Sequence, residues 1–217
     1  MGGHNLNAPN LEGGPVTTNV LLNDSSYQIE AAIVWEPGGN SGEMDLDIPA
    51  LGVRLQLAVG LREDSDSITD SGIQSINDLY LLTADDRSRI VDLLYDDALH
   101  ARQQVGFHRT IKVERPKPTT WFKRLLWRPE TETRFEPIPH DDPAHPCFMK
   151  EGRASVLEKV TWLGARVEEF WDTQHRFAVI DCRPAWEDEH GRTIVIRDGL
   201  PYVVADYQVD FWTLDDA

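Results

Sequence analysis

Hydrophobic and polar residues alternate through several short stretches of the chain, in the pattern typical of half-buried β-strands. The first stretch is 27–35, where every second residue from Tyr27 to Trp35 is apolar and a turn rich in glycine and proline follows. The stretches 44–48 and 53–61 repeat the alternation, and 53–61 does so most regularly. The N-terminal part therefore predicts strands that bury one face and expose the other.

The period of the pattern changes after Thr83, because apolar residues then recur at the spacing of an α-helix. Thr83 and Asp86 form a start that resembles a capping box, and Gly106 suits the end of a helix. The sequence predicts one long amphipathic helix over about 84–104. Its apolar stripe consists of Ile90, Leu94, Ala98, Ala101 and Val105.

The C-terminal part predicts a meander of antiparallel strands, because short apolar or alternating stretches follow one another between turn signals such as Asp198-Gly199. Helices do not alternate with the strands in either part of the chain. The predicted fold class is therefore α+β, with antiparallel β-sheet lobes and the one long helix. The predicted strands of this part are 156–163, 165–172, 177–182, 193–197, 201–204 and 207–214.

Basic residues and prolines are concentrated between these two parts. Residues 106–135 hold eight basic and three acidic residues, and seven of the 13 prolines lie within 116–146. Each proline removes a backbone donor and disfavours helix at the preceding residue, so 115–147 is expected to be an extended connector or inserted loop. The predicted domains are an N-terminal strand and helix lobe over 16–106, a basic proline-rich connector or insertion over 107–147, and a C-terminal β-meander lobe over 148–217.

The overall charge narrows the function classes. The 217 residues carry a net charge of −16, and residues 1–80 alone hold 12 acidic and two basic side chains. A chain this acidic is repelled by phosphate, and no apolar stretch is long enough for a membrane span, so neither nucleic acid nor membrane is an expected partner. The N-terminus lacks a secretory signal, and Cys147 and Cys182 lack metal or redox spacing. A cytoplasmic protein with reduced thiols is expected.

Familiar catalytic signatures are absent from the sequence: GxSxG, the P-loop, GxGxxG and HExxH do not occur. We therefore predict no catalytic residues and no cofactor. His140, Asp141, Asp142 and His145 could offer nitrogen and oxygen ligands to a divalent metal. The neighbouring prolines place these residues in a loop without a rigid element, so a solvated loop is the preferred interpretation and no metal is predicted.

Residues 121–128 combine aromatic, aliphatic and basic side chains. This mixture favours a short amphipathic turn that covers one edge of a sheet while its lysine and arginine head groups reach solvent. A contact with a protein partner is the second interpretation, and a membrane or nucleic-acid contact is the third.

The segment 186–191, with the sequence W-E-D-E-H-G, is the most distinctive string in the chain. Its carboxylates and imidazole could act as a general base or bind a cation. Its place between two predicted strands instead favours a hairpin turn closed by a left-handed Gly191. In that turn we expect Trp186 to pack into the sheet, and Glu189 and His190 to hydrogen-bond the turn amides.

W-E-D-E-H-G followed by T-I-V-I-R-D-G resembles the W-D-x-E-H-G, strand and N/D-G ending of a loose group of uncharacterised bacterial α+β domains. Many of these domains are encoded beside polymorphic toxins and are regarded as immunity proteins. The match covers 183–199 well and the strand-then-helix order of 53–104 loosely, with Glu187 where the group has aspartate. The resemblance implies an immunity-type protein that neutralises a toxin, and it supplies no catalytic residues.

Two acidic segments are the candidate partner-binding sites, because loops held by a rigid sheet concentrate binding residues and complementary charge speeds association. We expect a protein partner, a toxin domain, to meet this acidic surface. The alternative hypothesis is a metal-assisted hydrolase that uses the turn from Glu187 to His190 or the pair His140 and His145. The candidate partner-binding residues are Glu63, Asp64, Asp66 and Asp70 in one segment and Glu187, Asp188 and Glu189 in the other.

Overall fold

The structure, a computed structural model, shows an α+β fold with ten strands, three α-helices and one 3-10 helix in its described residues. It describes residues 16–23, 28–36, 40–62, 65, 67–103, 110–116, 131–139, 141–169, 173–187 and 189–216. The strands are β1 (Val16–Asn23), β2 (Gln28–Trp35), β3 (Ser41–Ile48), β4 (Val53–Gly60), β5 (Thr110–Pro116), β6 (Thr131–Pro137), β7 (Val160–Glu168), β8 (Phe177–Pro184), β9 (Arg192–Arg197) and β10 (Leu200–Asp206). The helices are α1 (Asp70–Tyr80), α2 (Ala84–Gln103) and α3 (Phe211–Asp215), and the 3-10 helix is Gly152–Lys159.

Eight strands form one mixed sheet in the order β1-β2-β3-β4-β7-β8-β9-β10. Neighbouring strands are antiparallel except β4 and β7, which run parallel with Leu57 opposite Ala165. The pairs within each predicted lobe are antiparallel, and this parallel pair joins the two sets of strands into one mixed sheet. Parallel neighbours need a long crossover connection, and the chain from α1 to the 3-10 helix supplies it. The strands after the crossover, β7 to β10, form the antiparallel meander that the sequence predicts.

One face of the sheet, which we call the inner face, packs against the helices. Helix α1 contacts β1, β3, β7 and β8, while α2 contacts β10 and the 3-10 helix. The helices bury Ile76, Leu79, Ile90 and Leu94 completely, because these apolar residues recur at helical spacing. The main core therefore lies between the sheet and one helical layer.

The opposite face of the sheet, which we call the outer face, is covered at one end. Phe211 of α3 packs there with Phe177, Val179 and Val195 in a second, smaller apolar cluster. Over β1 to β4 and β7, no helix in the described part of the chain covers this face. The side chains that point outward from β3 are accordingly exposed.

Two predicted strands of the C-terminal part have a different structure. Residues 156–159 belong to the 3-10 helix, and 207–214 do not continue the sheet but lead into α3. The Asp210 side chain accepts a hydrogen bond from the Trp212 amide at 3.1 Å, as an N-cap residue does. Short apolar stretches suit a helical turn as well as a strand, so alternation alone did not distinguish them.

The sequence reading also missed β1 and α1. Helix α1 begins after Thr69, whose side chain accepts a hydrogen bond from the Gly72 amide at 3.2 Å. The sequence contains two signals of this helix. They are the N-cap residue Thr69 and the apolar residues Ile76 and Tyr80 at helical spacing, which are buried in the structure. Strand β1 has the weaker pattern, but Val20 and Leu22 are buried against the core.

The proline-rich segment 107–147 contains two strands, β5 and β6. Strands β5 and β6 pair with each other as a separate antiparallel ribbon, with Thr110 opposite Pro137 and Pro116 opposite Thr131. Prolines are tolerated at these positions because they end the strands. Further along, His145 and Cys147 are buried. The predicted amphipathic turn at 121–128 lies outside the described residues.

The predicted turn at Asp198 and Gly199 connects β9 to β10. Both residues have left-handed backbone angles, φ 50° and φ 83°, as a two-residue hairpin turn of type I′ requires. The Asp198 carboxylate accepts a hydrogen bond from the Arg176 amide at 3.0 Å and contacts Nδ1 of His175 at 2.5 Å. Partial burial alone would raise the pKa of Asp198, but these hydrogen bonds outweigh it and lower that pKa.

We predict that Asp198→Asn reduces stability at neutral pH but not in acid. A carboxyl group whose pKa is lower in the folded state stabilises the protein above its unfolded pKa, near 4, and this contribution is lost as the pH falls through the folded value. Asparagine suits the type I′ turn, so the variant changes the charge and keeps the backbone. Urea unfolding from about pH 7 to about pH 2 should show a difference from the parent protein that vanishes at the acid end. A difference that does not change with pH would contradict the assignment.

Candidate functional site

A row of three carboxylates crosses the outer face on β3. Glu43, Asp45 and Asp47 point outward because they alternate with Met44, Leu46 and Ile48, which are at most 5% exposed on the inner face. Alternate residues of a strand lie about 6.8 Å apart, so the three acids form a regular negative stripe. We call these three residues the β3 acidic row.

The neighbouring strand β4 balances this row only in part. Arg54 donates to Asp45 at 3.1 Å, and Gln56 donates to Glu43 at 2.6 Å. The Arg54 and Asp45 side chains are both 64% exposed, so this ion pair contributes little stability. In the described part of the chain no hydrogen bond or ion pair reaches the Asp47 carboxylate. The β3 acidic row therefore keeps a negative charge that faces solvent.

Strands β2 and β3 separate beside the β3 acidic row. Strand β2 pairs with β1 along its whole length, but it pairs with β3 only where Val34 lies opposite Glu43 and Trp35 lies opposite Gly42. A cavity of about 640 Å³ opens where the two strands diverge. We call this opening the β2–β3 cleft. It is lined by Leu22, Ala31, Ala32 and Val34 on one side, by residues 43–47, Arg54 and Gln56 on the other, and by Tyr80 of α1.

The closed end of the β2–β3 cleft is fixed by Trp35. Its indole is 4% exposed and donates from Nε1 to Oγ1 of Thr18 at 2.8 Å. Gly42 lies opposite, where a Cβ atom would be 2.7 Å from the side chains of both Ile33 and Trp35. The missing side chain of Gly42 therefore lets the indole cross the strand pair at the point where β2 and β3 part.

A smaller cavity of about 210 Å³ continues across the outer face toward β8. Its floor contains the buried carboxylate of Asp181, which Arg166 contacts through Nε at 2.7 Å and Nη2 at 3.2 Å. Thr193 also donates to Asp181 at 2.8 Å, and the Tyr207 ring lies over the Arg166 guanidinium. The hydrogen bond to Asp181 raises the pKa of Arg166. This group is a satisfied structural ion pair that closes the outer face on the β8 side.

The structure does not bring the two predicted acidic segments together. The first follows the end of β4 and the second follows the end of β8, and β8 runs antiparallel to β7 and thus to β4. The described candidates Asp70 and Glu189 therefore lie at opposite ends of the sheet. Asp70 is exposed as the first residue of α1, and Glu189 is 79% exposed. Of the other candidates, Glu63, Asp64, Asp66 and Asp188 lie outside the described residues, and Glu187 is half-buried.

The W-E-D-E-H-G segment forms a turn, and two of its expected features are confirmed. Trp186 is 1% exposed and donates from Nε1 to Asp97 of α2 at 2.7 Å. Gly191 has a left-handed φ of 79°. Arg192 extends this anchor, because its guanidinium contacts Asp97 at 3.2 Å and Glu187 at 3.3 Å. The turn is thereby fixed to α2.

The expected roles of Glu189 and His190 in this turn are wrong. The turn amides of both residues donate to Oε1 of Glu187, each at 3.1 Å. The carboxylate of Glu187 reaches back over its own turn, as Asp and other short polar side chains commonly do. The His190 side chain is 79% exposed and lies 3.7 Å from Glu189. Sequence order did not show which of the three acids would accept these bonds.

The described residues among those named for a hydrolase do not form a reactive group. Glu187 is engaged by two amides and Arg192, which leaves His190 beside exposed Glu189. His145 is 1% exposed, and its Nδ1 accepts the Cys147 amide at 3.1 Å, while His140 lies outside the described residues. Among the described residues, no group of three or more His, Cys, Asp or Glu side chains is placed to hold a metal ion.

The two cysteines are buried free thiols. Burial raises the pKa of Cys147 to about 11 and that of Cys182 to about 12. The thiolate is the nucleophilic form of cysteine, so both residues are unreactive at neutral pH. Their role in the fold is to fill apolar space in the main core.

No helix within the described ranges has the length and apolar character needed to cross a membrane. Comparison with protein-family models, with curated proteins and with solved structures finds no match. The resemblance of 183–199 to toxin-immunity domains therefore stays an expectation from the sequence.

We predict that Glu187 stabilises the turn and that His190 does not. Glu187→Ala removes the acceptor of two turn amides and one partner of Arg192, so it should lower the free energy of unfolding by about 1–3 kcal/mol. His190→Ala removes an exposed ring and should change it by less than about 0.5 kcal/mol. Urea unfolding of both variants measures this difference. Equal losses in the two variants would show that the hydrogen-bond assignment is wrong.

Proposed function

We propose that this protein is an immunity-type protein that binds and neutralises a cognate bacterial toxin through the acidic outer face of its sheet. The observation that carries the proposal is the uncovered part of that face, where the β3 acidic row borders the β2–β3 cleft. Polar and apolar groups thus lie side by side on a rigid support, as protein-binding surfaces require. The immunity role itself comes from the resemblance of 183–199.

The charge distribution supports a basic partner. The chain carries a net charge of −16, and the three exposed outward positions of β3 are all acidic. An inhibitor of this kind works by covering the active site of its partner and needs no catalytic residues of its own. Complementary fields accelerate such encounters by about 10- to 1000-fold, which favours rapid capture of a toxin.

The remaining elements have supporting roles in this proposal. We take α2 to be the long amphipathic helix that supports the sheet from its inner face, and Asp70 and Glu189 to be acidic contacts at the two ends of the sheet. A large partner would reach one of these ends together with the β3 acidic row. Neutralisation is proposed to take place in the cytoplasm, where buried thiols such as Cys147 and Cys182 stay reduced.

Co-expression tests the proposed function. We expect cells that produce the toxin encoded beside this protein's gene to survive only when this protein is present, and we expect a stable complex in their lysate. A variant of the toxin without activity should still form that complex, which separates binding from survival. Equal cell death with and without this protein, and no recovered complex, would contradict the proposal.

We predict that local charge on the outer face sets the association rate. The triple variant Glu43→Gln, Asp45→Asn and Asp47→Asn should slow association with the toxin about tenfold at low salt. The matched control Asp96→Asn, Glu151→Gln and Glu158→Gln removes the same total charge from exposed positions outside β3. Stopped-flow mixing at increasing salt measures both rates.

For the parent protein, the association rate should fall steeply with salt, because the Debye length shrinks from about 10 Å at 0.1 M to about 3 Å at 1 M. The β3 triple variant should show a weaker salt dependence than the control. If both triple variants associate at the same rate, net charge is responsible and the β3 acidic row is not the contact.

A further inference from the structure

Among the described residues, no strand pairs with the β2 side of β3 beyond Glu43, so this edge inside the sheet is unpaired. The ladder between β2 and β3 stops where Val34 lies opposite Glu43, although both strands continue. On its other side β3 pairs with β4 along its whole length, from Ser41 opposite Gly60 to Ile48 opposite Val53. One side of β3 is therefore fully paired, and the side that faces the β2–β3 cleft is not.

Neighbouring hydrogen bonds show which backbone groups lie on the unpaired edge. The Glu36 amide donates to the Ser41 carbonyl at 3.0 Å, so Ser41 faces β2, and the Leu61 amide donates to the Asn40 carbonyl at 2.7 Å, so Asn40 faces β4. Backbone groups of a strand alternate between its two sides. Asp45 and Asp47 lie four and six residues after Ser41, so their backbone groups point to the same side as those of Ser41. Their N–H and C=O groups are therefore directed into the cleft.

The side chains around this edge specify the chemistry of an added strand. The β3 acidic row lies on the outer side of the cleft, and Met44, Leu46 and Tyr80 line it on the inner side. An extended segment that paired with β3 would place alternate side chains on these two sides. Basic residues at every second position and apolar residues between them would complement both.

We infer that the β2–β3 cleft takes up one extended segment of the partner, with alternating basic and apolar residues, as an additional strand along the free edge of β3. The inference rests on the proposed function, because the segment belongs to the proposed toxin. Strand addition obtains affinity from backbone hydrogen bonds and specificity from alternate side chains, and the cleft offers both. A second copy of this chain is a poor occupant, because its Asp45 and Asp47 would oppose the same carboxylates.

A peptide of alternating lysine and valine, blocked at both ends, serves as the probe with the full chain. We expect it to bind, and we expect the matching peptide of alternating glutamate and valine not to bind. Two further peptides carry N-methyl groups on every lysine amide or on every valine amide. Both keep the same charge and side chains, and each has one edge that cannot donate hydrogen bonds. Isothermal titration calorimetry measures all four affinities.

Strand addition predicts that one methylation pattern weakens binding at least about tenfold, because two or more backbone hydrogen bonds are lost, and that the other pattern has little effect. Loss of affinity in the peptide with methylated lysine amides indicates antiparallel pairing. In that arrangement the backbone amides of the lysines opposite Asp45 and Asp47 would donate hydrogen bonds to β3. Loss with methylated valines indicates parallel pairing.

Equal affinities of the two methylated peptides, or no binding of the parent peptide, would overturn the inference. Size-exclusion chromatography of the protein alone must show a monomer, since a dimer that dissociates on peptide addition would identify a second copy as the occupant and would also overturn it. The peptides test the cleft without a toxin. If this protein lets toxin-producing cells survive but the two methylated peptides bind with equal affinity, strand addition alone is refuted. If only one methylation pattern weakens peptide binding but the cells do not survive, the proposed function alone is refuted.

Discussion

The parallel pairing of β4 with β7 joins the two halves of the chain into one sheet. Leu57 lies opposite Ala165 and Val59 opposite Val167, and all four side chains are at most 2% exposed. Beside them, Gly164 brings β7 close to β4, because a Cβ atom there would lie 3.2 Å from the Gln56 carbonyl oxygen. This buried junction places β4 next to β7, a strand from the far end of the chain. The continuous outer face and the smaller cavity, which is lined from both β4 and β7, depend on it.

The two faces of this sheet have different environments. The inner face is closed by α1 and α2, while α3 covers only the β8 to β10 end of the outer face. Asp181 on the outer face is paired with Arg166, and Asp97 on the inner face accepts a hydrogen bond from Trp186. In the described part of the chain, the β3 acidic row faces solvent and the backbone edge beside it is unpaired. A binding function at this place is consistent with all of these features.

Local patterns predicted much of the fold, whereas long-range pairing decided the site. Alternation gave β4 and the C-terminal meander, and Gly191 marked its turn correctly, because these features depend on neighbours in sequence. The parallel junction and the β2–β3 cleft depend on how distant strands meet, and periodicity carries no information about that. The acids of β3 were visible in the sequence as alternate positions of a strand. Their importance depends on two features that the sequence does not show. No helix in the described part of the chain covers these side chains, and β2 separates from β3 beside them.

Amide hydrogen exchange of the full chain, alone and in complex with the toxin, tests the central claim most directly. The unpaired amides of Asp45 and Asp47 should exchange fast in the free protein and become protected in the complex, while amides of α2 should not change, because protection reports new backbone hydrogen bonds and burial. Protection confined to the inner-face helices or to the turn at 185–191, with β3 unchanged, would contradict the account.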